Sequence, residues 1–183
     1  MIKVYHRQRQ DGENLSVIAW DLLEEACRKE DIESVRAKTI LGPNKKPYIE
    51  GNEIFFNLSH SGDYVLCVIS DTEVGCDIQQ IKKVRQSVMD RYFHSVEKAY
   101  ILEGETDEDC ARRFTRIWVL RGSYVKQTGE GLTRDLRTFY FNIDDDRPVL
   151  YLQNEAEEQY APGEMIFDEF SVGDCLCAVC CEK

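Results

Sequence analysis

The sequence predicts an α+β fold: two related α/β lobes in a pseudo-two-fold arrangement, with a ligand cleft between them. Three observations carry this expectation. Residues 1–85 run from helical segments into three β-prone runs, and residues 86–183 repeat that order. The stretch joining them, near residues 82–95, is short and basic. An apolar fraction of 43% over 183 residues is enough to bury a core of ordinary size.

In the first lobe, residues 2–6 alternate as a short strand, and residues 7–13 are a polar turn. Leu15, Ile18, Ala19, Leu22 and Ala26 recur at helical spacing, which predicts a helix over 14–30. A second helical segment is expected over 31–41, anchored by Ile32, Val35 and Ile40 and ended by Gly42 and Pro43. Pro47 keeps Lys46 extended. Ile54–Leu58 and Tyr64–Ser70 read as a hairpin whose turn is Ser59-His60-Ser61-Gly62-Asp63. The third strand is VGCDIQQ, residues 74–80. Asp77 and Gln79 leave one face of it, while Cys76 and Ile78 face the core.

In the second lobe, Ser95 is the expected N-cap of a helix carrying Glu97, Tyr100 and Ile101. Thr106 with Asp109 three residues later marks the start of a longer helix. Its last turns hold Ile117, Trp118, Leu120 and Val125 as an apolar stripe, and Gly129 and Gly131 bracket the exit. Gly122 and Lys126 project from one face, a turn apart. A lysine there suits the helix dipole as well as it suits an anionic ligand. Strands follow over 138–143 and 149–152, then a polar loop over 153–163, then a hairpin of 164–170 and 175–181.

With 23 basic against 34 acidic residues the net charge is −11, which excludes nucleic acid and anionic membranes as partners. MIKVYHRQRQ contains no long apolar run, so a cytoplasmic protein is expected. In that compartment the eight cysteines are reduced thiols. Cys175, Cys177, Cys180 and Cys181 lie in a β-prone run with no second Cys/His pair nearby, which favours buried strand residues over zinc ligands.

Three segments taken in order carry a resemblance: NLSHSGDYV (57–65), VGCDIQ (74–79) and WVLRGSYVKQTGEGL (118–132). They resemble the 4′-phosphopantetheinyl transferase superfamily, specifically its longer pseudo-dimeric type that activates carrier proteins. That family shows N-x-S-H-S, G-x-D-x-E and W-x-x-K-E-[SA]-x-x-K followed by a glycine pair. The resemblance implies transfer of the phosphopantetheine arm of coenzyme A to a serine of an acyl or peptidyl carrier protein, releasing 3′,5′-ADP. It implies magnesium at the pyrophosphate, and a monomer whose two lobes enclose the site. By position, Asp77 resembles the first metal carboxylate and Gln79 the second. Glu97 resembles the helix glutamate that orients or deprotonates the nucleophile. Lys126 resembles the phosphate-contacting lysine, while Lys46, Ser59 and His60 resemble coenzyme A contacts.

The chain also departs from the pattern. Arg121-Gly122 stands where the family has Lys-Glu, and glycine supplies no side-chain oxygen for a metal. Gln79 keeps an oxygen without the charge. The first helix shows Leu15, Ser16 and Val17 in place of basic residues that grip the 3′-phosphate. A pseudoenzyme that binds coenzyme A, a nucleotide or a carrier protein is therefore the alternative expectation.

Overall fold

The computed structural model describes the chain except residues 34, 43, 52–53, 132–134, 154–158 and 161–164. Strand β1 (Ile2–Gln8) lies antiparallel to β5 (Tyr64–Ser70), which pairs on its other side with β4 (Phe55–Ser61). Helix α1 (Leu15–Lys29) crosses this sheet. Asn14 caps it by accepting from the Ser16 and Val17 amides at 2.9 and 3.2 Å, which satisfies two otherwise orphaned donors. Its apolar face, Ile18, Ala19, Leu22, Leu23 and Ala26, buries against Val65, Cys67 and Ile69 of β5.

The second segment expected to be helical is not a helix. Residues Arg36–Lys38 form one 3₁₀ turn, then β2 (Thr39–Leu41) pairs with β3 (Pro47–Ile49). Of the apolar anchors that fit a helical period, Ile40 pairs with Tyr48 in the hairpin, as suits a β-branched residue, while Ile32 and Val35 pack into the core beside α1. Pro43, expected to help end that segment, lies outside the described residues.

A second sheet joins β6 (Val74–Gln80), β11 (Cys175–Glu182) and β10 (Met165–Val172), with β11 central. Strand β6 precedes the expected lobe boundary at residue 85, yet its hydrogen-bonded neighbour comes from the chain's last residues. Helix α4 (Asp107–Thr128) lies across β6 and β11. Its Phe114, Ile117, Leu120 and Tyr124 bury with Phe139, Phe141 and Ala178. The short helices α2 (Gln86–Tyr92) and α3 (Ser95–Leu102) pack at its side, and a third sheet holds β7 (Phe139–Asp144), β8 (Arg147–Gln153) and β9 (Gln159–Tyr160). Strand β9 falls inside the stretch read as loop.

The four clustered cysteines are buried residues of strand β11. Cys175, Cys177 and Cys181 alternate into a core shared with Cys76, Val68 and Ile78, and Cys180 faces the α4 side. Burial pushes the Cys76 and Cys177 thiols up to about 12 and Cys175 to about 11, so they stay protonated. Among the described residues no three His, Cys, Asp or Glu side chains are placed to hold a metal ion. No helix among the described residues is long and apolar enough to cross a membrane.

Candidate functional site

The two sheets meet along β4 and β6, and the seam is made by side chains. Asn57, Ser59 and Ser61 recur at strand period on β4, so all three face β6. The Cys76 amide donates to Asn57 Oδ1 at 3.0 Å, Ile78 to Ser59 Oγ at 3.3 Å and Gln80 to Ser61 Oγ at 3.0 Å. Small polar side chains thus satisfy the edge amides of β6 where no backbone ladder runs. The N-L-S-H-S segment has this structural reason for its spacing, and it is strand to Ser61 with the turn reduced to Gly62-Asp63. The expected turn at 59–63 begins three residues too early.

Gly75 sets how closely α4 approaches β6. A Cβ at residue 75 would collide with the Ser123 carbonyl oxygen and the Gln127 amide nitrogen. With only hydrogen there, the helix lies on the strand, and residues two apart on β6 meet neighbouring positions on the same two turns of α4. Residue 75 meets Ser123 and Gln127, and Asp77 meets Gly122 and Lys126. Gln79 and Trp118 line a groove of about 190 Å³. Sequence spacing placed Asp77 with Gln79, and Gly122 with Lys126; the fold brings the two pairs face to face.

Asp77, Ser59 and Lys126 form a closed triangle. Lys126 Nζ donates to Asp77 Oδ1 at 2.6 Å and to Ser59 Oγ at 2.8 Å, and Ser59 Oγ donates to Asp77 Oδ1 at 3.0 Å. Asp77 is 9% exposed, whereas the Lys126 side chain is 34% exposed and reaches solvent. No described hydrogen bond uses Asp77 Oδ2. That oxygen points at the Gly122 backbone, where a Cβ would be 2.6 Å from it.

The other expected site residues are elsewhere. Glu97 is fully buried and binds Arg121 Nη1 through both oxygens, at 2.7 and 2.9 Å. It also accepts from the Phe141 amide at 3.0 Å and the His94 amide at 2.9 Å. Glu97 is the structural half of a capping box whose N-cap is His94, one residue before the expected Ser95. Arg121 lies between the Phe93 and Phe139 rings and donates further to the Tyr92, Leu136 and Phe139 carbonyls. Burial draws its guanidinium below the ordinary value, and Glu97 opposes that. With all its acceptor capacity committed, Glu97 is not positioned to receive a proton at the triangle.

Lys46 is 8% exposed at its side chain and spends its three protons on Glu73 at 2.8 Å, Gln127 O at 3.1 Å and Val74 O at 3.4 Å. It clamps the end of α4 to the start of β6. His60 is exposed and follows Ser59 on the strand, so the two face opposite ways. The structure brings together Asp77, Ser59 and Lys126, sets Gln79 beside them, and leaves Glu97, Lys46 and His60 outside.

Magnesium does not fit this donor set. It asks for near-octahedral oxygen ligation, and the triangle offers one carboxylate whose Oδ1 already faces an ammonium. Gly122 provides no side-chain oxygen, and Gln79 adds at most an amide. Sequence reading missed Arg121 as the partner of Glu97. The signal was present: Arg121 falls four residues after Ile117 and three before Tyr124, on the buried stripe.

A model of the family described as the 4′-phosphopantetheinyl transferase superfamily matches residues 73–180, which include β6, α3, α4 and nearly all of β11. Among relatives, 4′-phosphopantetheinyl transferase gsp of Aneurinibacillus migulanus is 29% identical over 131 residues, 71% of this chain and 54% of that one. The transferase Sfp of Bacillus subtilis (strain 168) is 32% identical over 94 residues, 51% of this chain and 42% of that one. HetI of Nostoc sp. is 29% identical over 154 residues, 82% of this chain and 59% of that one. The chain thus spans about half the length of the curated relatives it matches.

Proposed function

Because this chain belongs to the 4′-phosphopantetheinyl transferase superfamily, we propose that it transfers the phosphopantetheine arm of coenzyme A to a serine of an acyl or peptidyl carrier protein. The observation that carries this reading is the Asp77–Ser59–Lys126 triangle at the meeting of the two sheets, inside or beside the matched region. In this reading the carrier serine oxygen attacks the β-phosphorus of the coenzyme A diphosphate. The anhydride bond breaks, and 3′,5′-ADP leaves. Lys126, with one proton uncommitted among the described residues, holds the diphosphate and offsets charge on the leaving group. Asp77 Oδ2, the carboxylate oxygen with no described hydrogen bond, receives the serine proton. Ser59 holds both side chains at fixed distance.

The test is intact-mass spectrometry of several apo carrier proteins incubated with coenzyme A and this protein. The expected result is addition of one phosphopantetheine to the carrier serine, abolished by Lys126→Gln. Folded protein that loads none of them would remove the transferase reading. A second reading, the catalytically impaired binder, is favoured by one specific observation. Gly122 and the Asp77 carboxylate occupy the space where the family's glutamate would project. That reading expects coenzyme A or carrier-protein binding by calorimetry without any change in carrier mass.

A further inference from the structure

The donor set and its surroundings point to a different source of positive charge from the one the family uses. We propose that this site binds a diphosphate without a divalent cation, with the Lys126 ammonium standing where a metal ion would have to be. The inference rests on reading the triangle as a diphosphate site, and it holds whether or not that site turns over.

The geometry is specific. A metal bound to Asp77 Oδ1 would have to displace an ammonium 2.6 Å away or sit against it. The other oxygen, Oδ2, is turned into the space left by Gly122, and a side chain at 122 could not enter without moving it. Ser59 Oγ accepts from both Lys126 and the Ile78 amide while donating to Asp77, so its hydroxyl has nothing left for a cation. Glu97, the remaining carboxylate of the family pattern, is neutralised by Arg121 in the core. The triangle is electrically balanced by itself, one ammonium against one carboxylate.

Positive charge is supplied nearby by the chain. The groove that starts at Gln79, on the Asp77 face of β6, is lined by Lys82, Lys83 and Arg85. All three are exposed, and among the described residues none makes a hydrogen bond or ion pair through its side chain. Lys82 and Lys83 also border Asp107, Glu108 and Asp109 in a neighbouring groove, which offsets part of their charge, whereas Arg85 lines the first groove alone. A diphosphate held by Lys126 lies in the field of these basic side chains, which sit further along the same face rather than in contact with it.

The experiment is calorimetric titration of inorganic pyrophosphate into the protein, in chelator and then in millimolar magnesium, with thermal melts confirming that each variant folds. The wild-type protein binds in chelator, and magnesium does not tighten binding. Asp77→Asn discriminates by sign. It removes the charge that opposes the anion and releases Lys126, so affinity in chelator rises about three- to tenfold. At a metal site the same change would abolish binding. Lys126→Gln weakens binding more than tenfold. Binding seen only with magnesium, loss of binding in Asp77→Asn, an unaffected Lys126→Gln, or no binding under either condition would each overturn the proposal. Carrier loading is measured separately. Metal-free pyrophosphate binding without loading removes the transferase reading alone, and loading with metal-dependent binding removes this inference alone.

Discussion

Glu97→Ala is expected to act on stability, because the structure commits Glu97 to the core. The side chain is fully buried, and its partner Arg121 is 3% exposed. Removing the carboxylate leaves a buried guanidinium between two phenyl rings with backbone carbonyls but no counter-charge, and it strips acceptors from the Phe141 and His94 amides. Breaking a buried pair from one side costs about 3–5 kcal/mol. In a chain of this size each kcal/mol moves Tm by about 2–4 °C, so Tm falls by roughly 6–20 °C. Replacing both partners, Glu97→Met with Arg121→Met, removes the stranded charge and recovers a large part of the loss. Thermal and urea unfolding followed by circular dichroism measure both. A loss below about 1 kcal/mol for Glu97→Ala would refute the reasoning, since no uncompensated charge would then have been created.

Other outcomes follow from the same contacts. Gly122→Glu is expected to destabilise by about 1–3 kcal/mol through collision with Asp77, despite the usual gain on replacing a helix glycine. Calorimetry should show no magnesium binding in that variant; a tight site would contradict the geometry. Gly75→Ala forces α4 off β6, so it should express poorly or melt far lower, and a wild-type melt would mean the helix does not rest on the strand. Alkaline stability has a defined sign. Cys76 and Cys177 keep their protons to about pH 12 when folded, whereas unfolded thiols ionise near 9. The unfolded chain therefore binds fewer protons above pH 9, and stability falls as pH rises from there, by about 1.4 kcal/mol per unit for each thiol. Denaturation curves between neutral pH and about pH 10 check this; a flat profile would contradict the burial.

The sequence was informative where a local period and a burial pattern agree. Helix α1, helix α4 and strands β4, β5 and β6 follow from spacing of their apolar residues, and Thr106 and Gly129 mark the ends of α4 as expected. It was less informative where stability comes from distant partners. The hairpin of β2 and β3 has apolar residues that fit a helix equally well, and only pairing selects the strand. Asp77 and Lys126 were legible as candidates, each from its own element. Their contact depends on Gly75 letting a helix settle on a strand, which no local pattern reveals. The side-chain seam of Asn57, Ser59 and Ser61 was visible as a period of two, but its partner strand was not. Glu97 and Lys46 each looked free to meet a ligand. Arg121, and the Gln127 and Val74 carbonyls, are brought to them only by the folded chain.

The most direct measurement is a crystal structure of the protein with coenzyme A, grown in millimolar magnesium. The expected result is a diphosphate oxygen within hydrogen-bond distance of Lys126 Nζ, with no metal bridging it to Asp77. A magnesium ion on Asp77 with Lys126 displaced, or coenzyme A bound away from the β6–α4 face, would contradict the account.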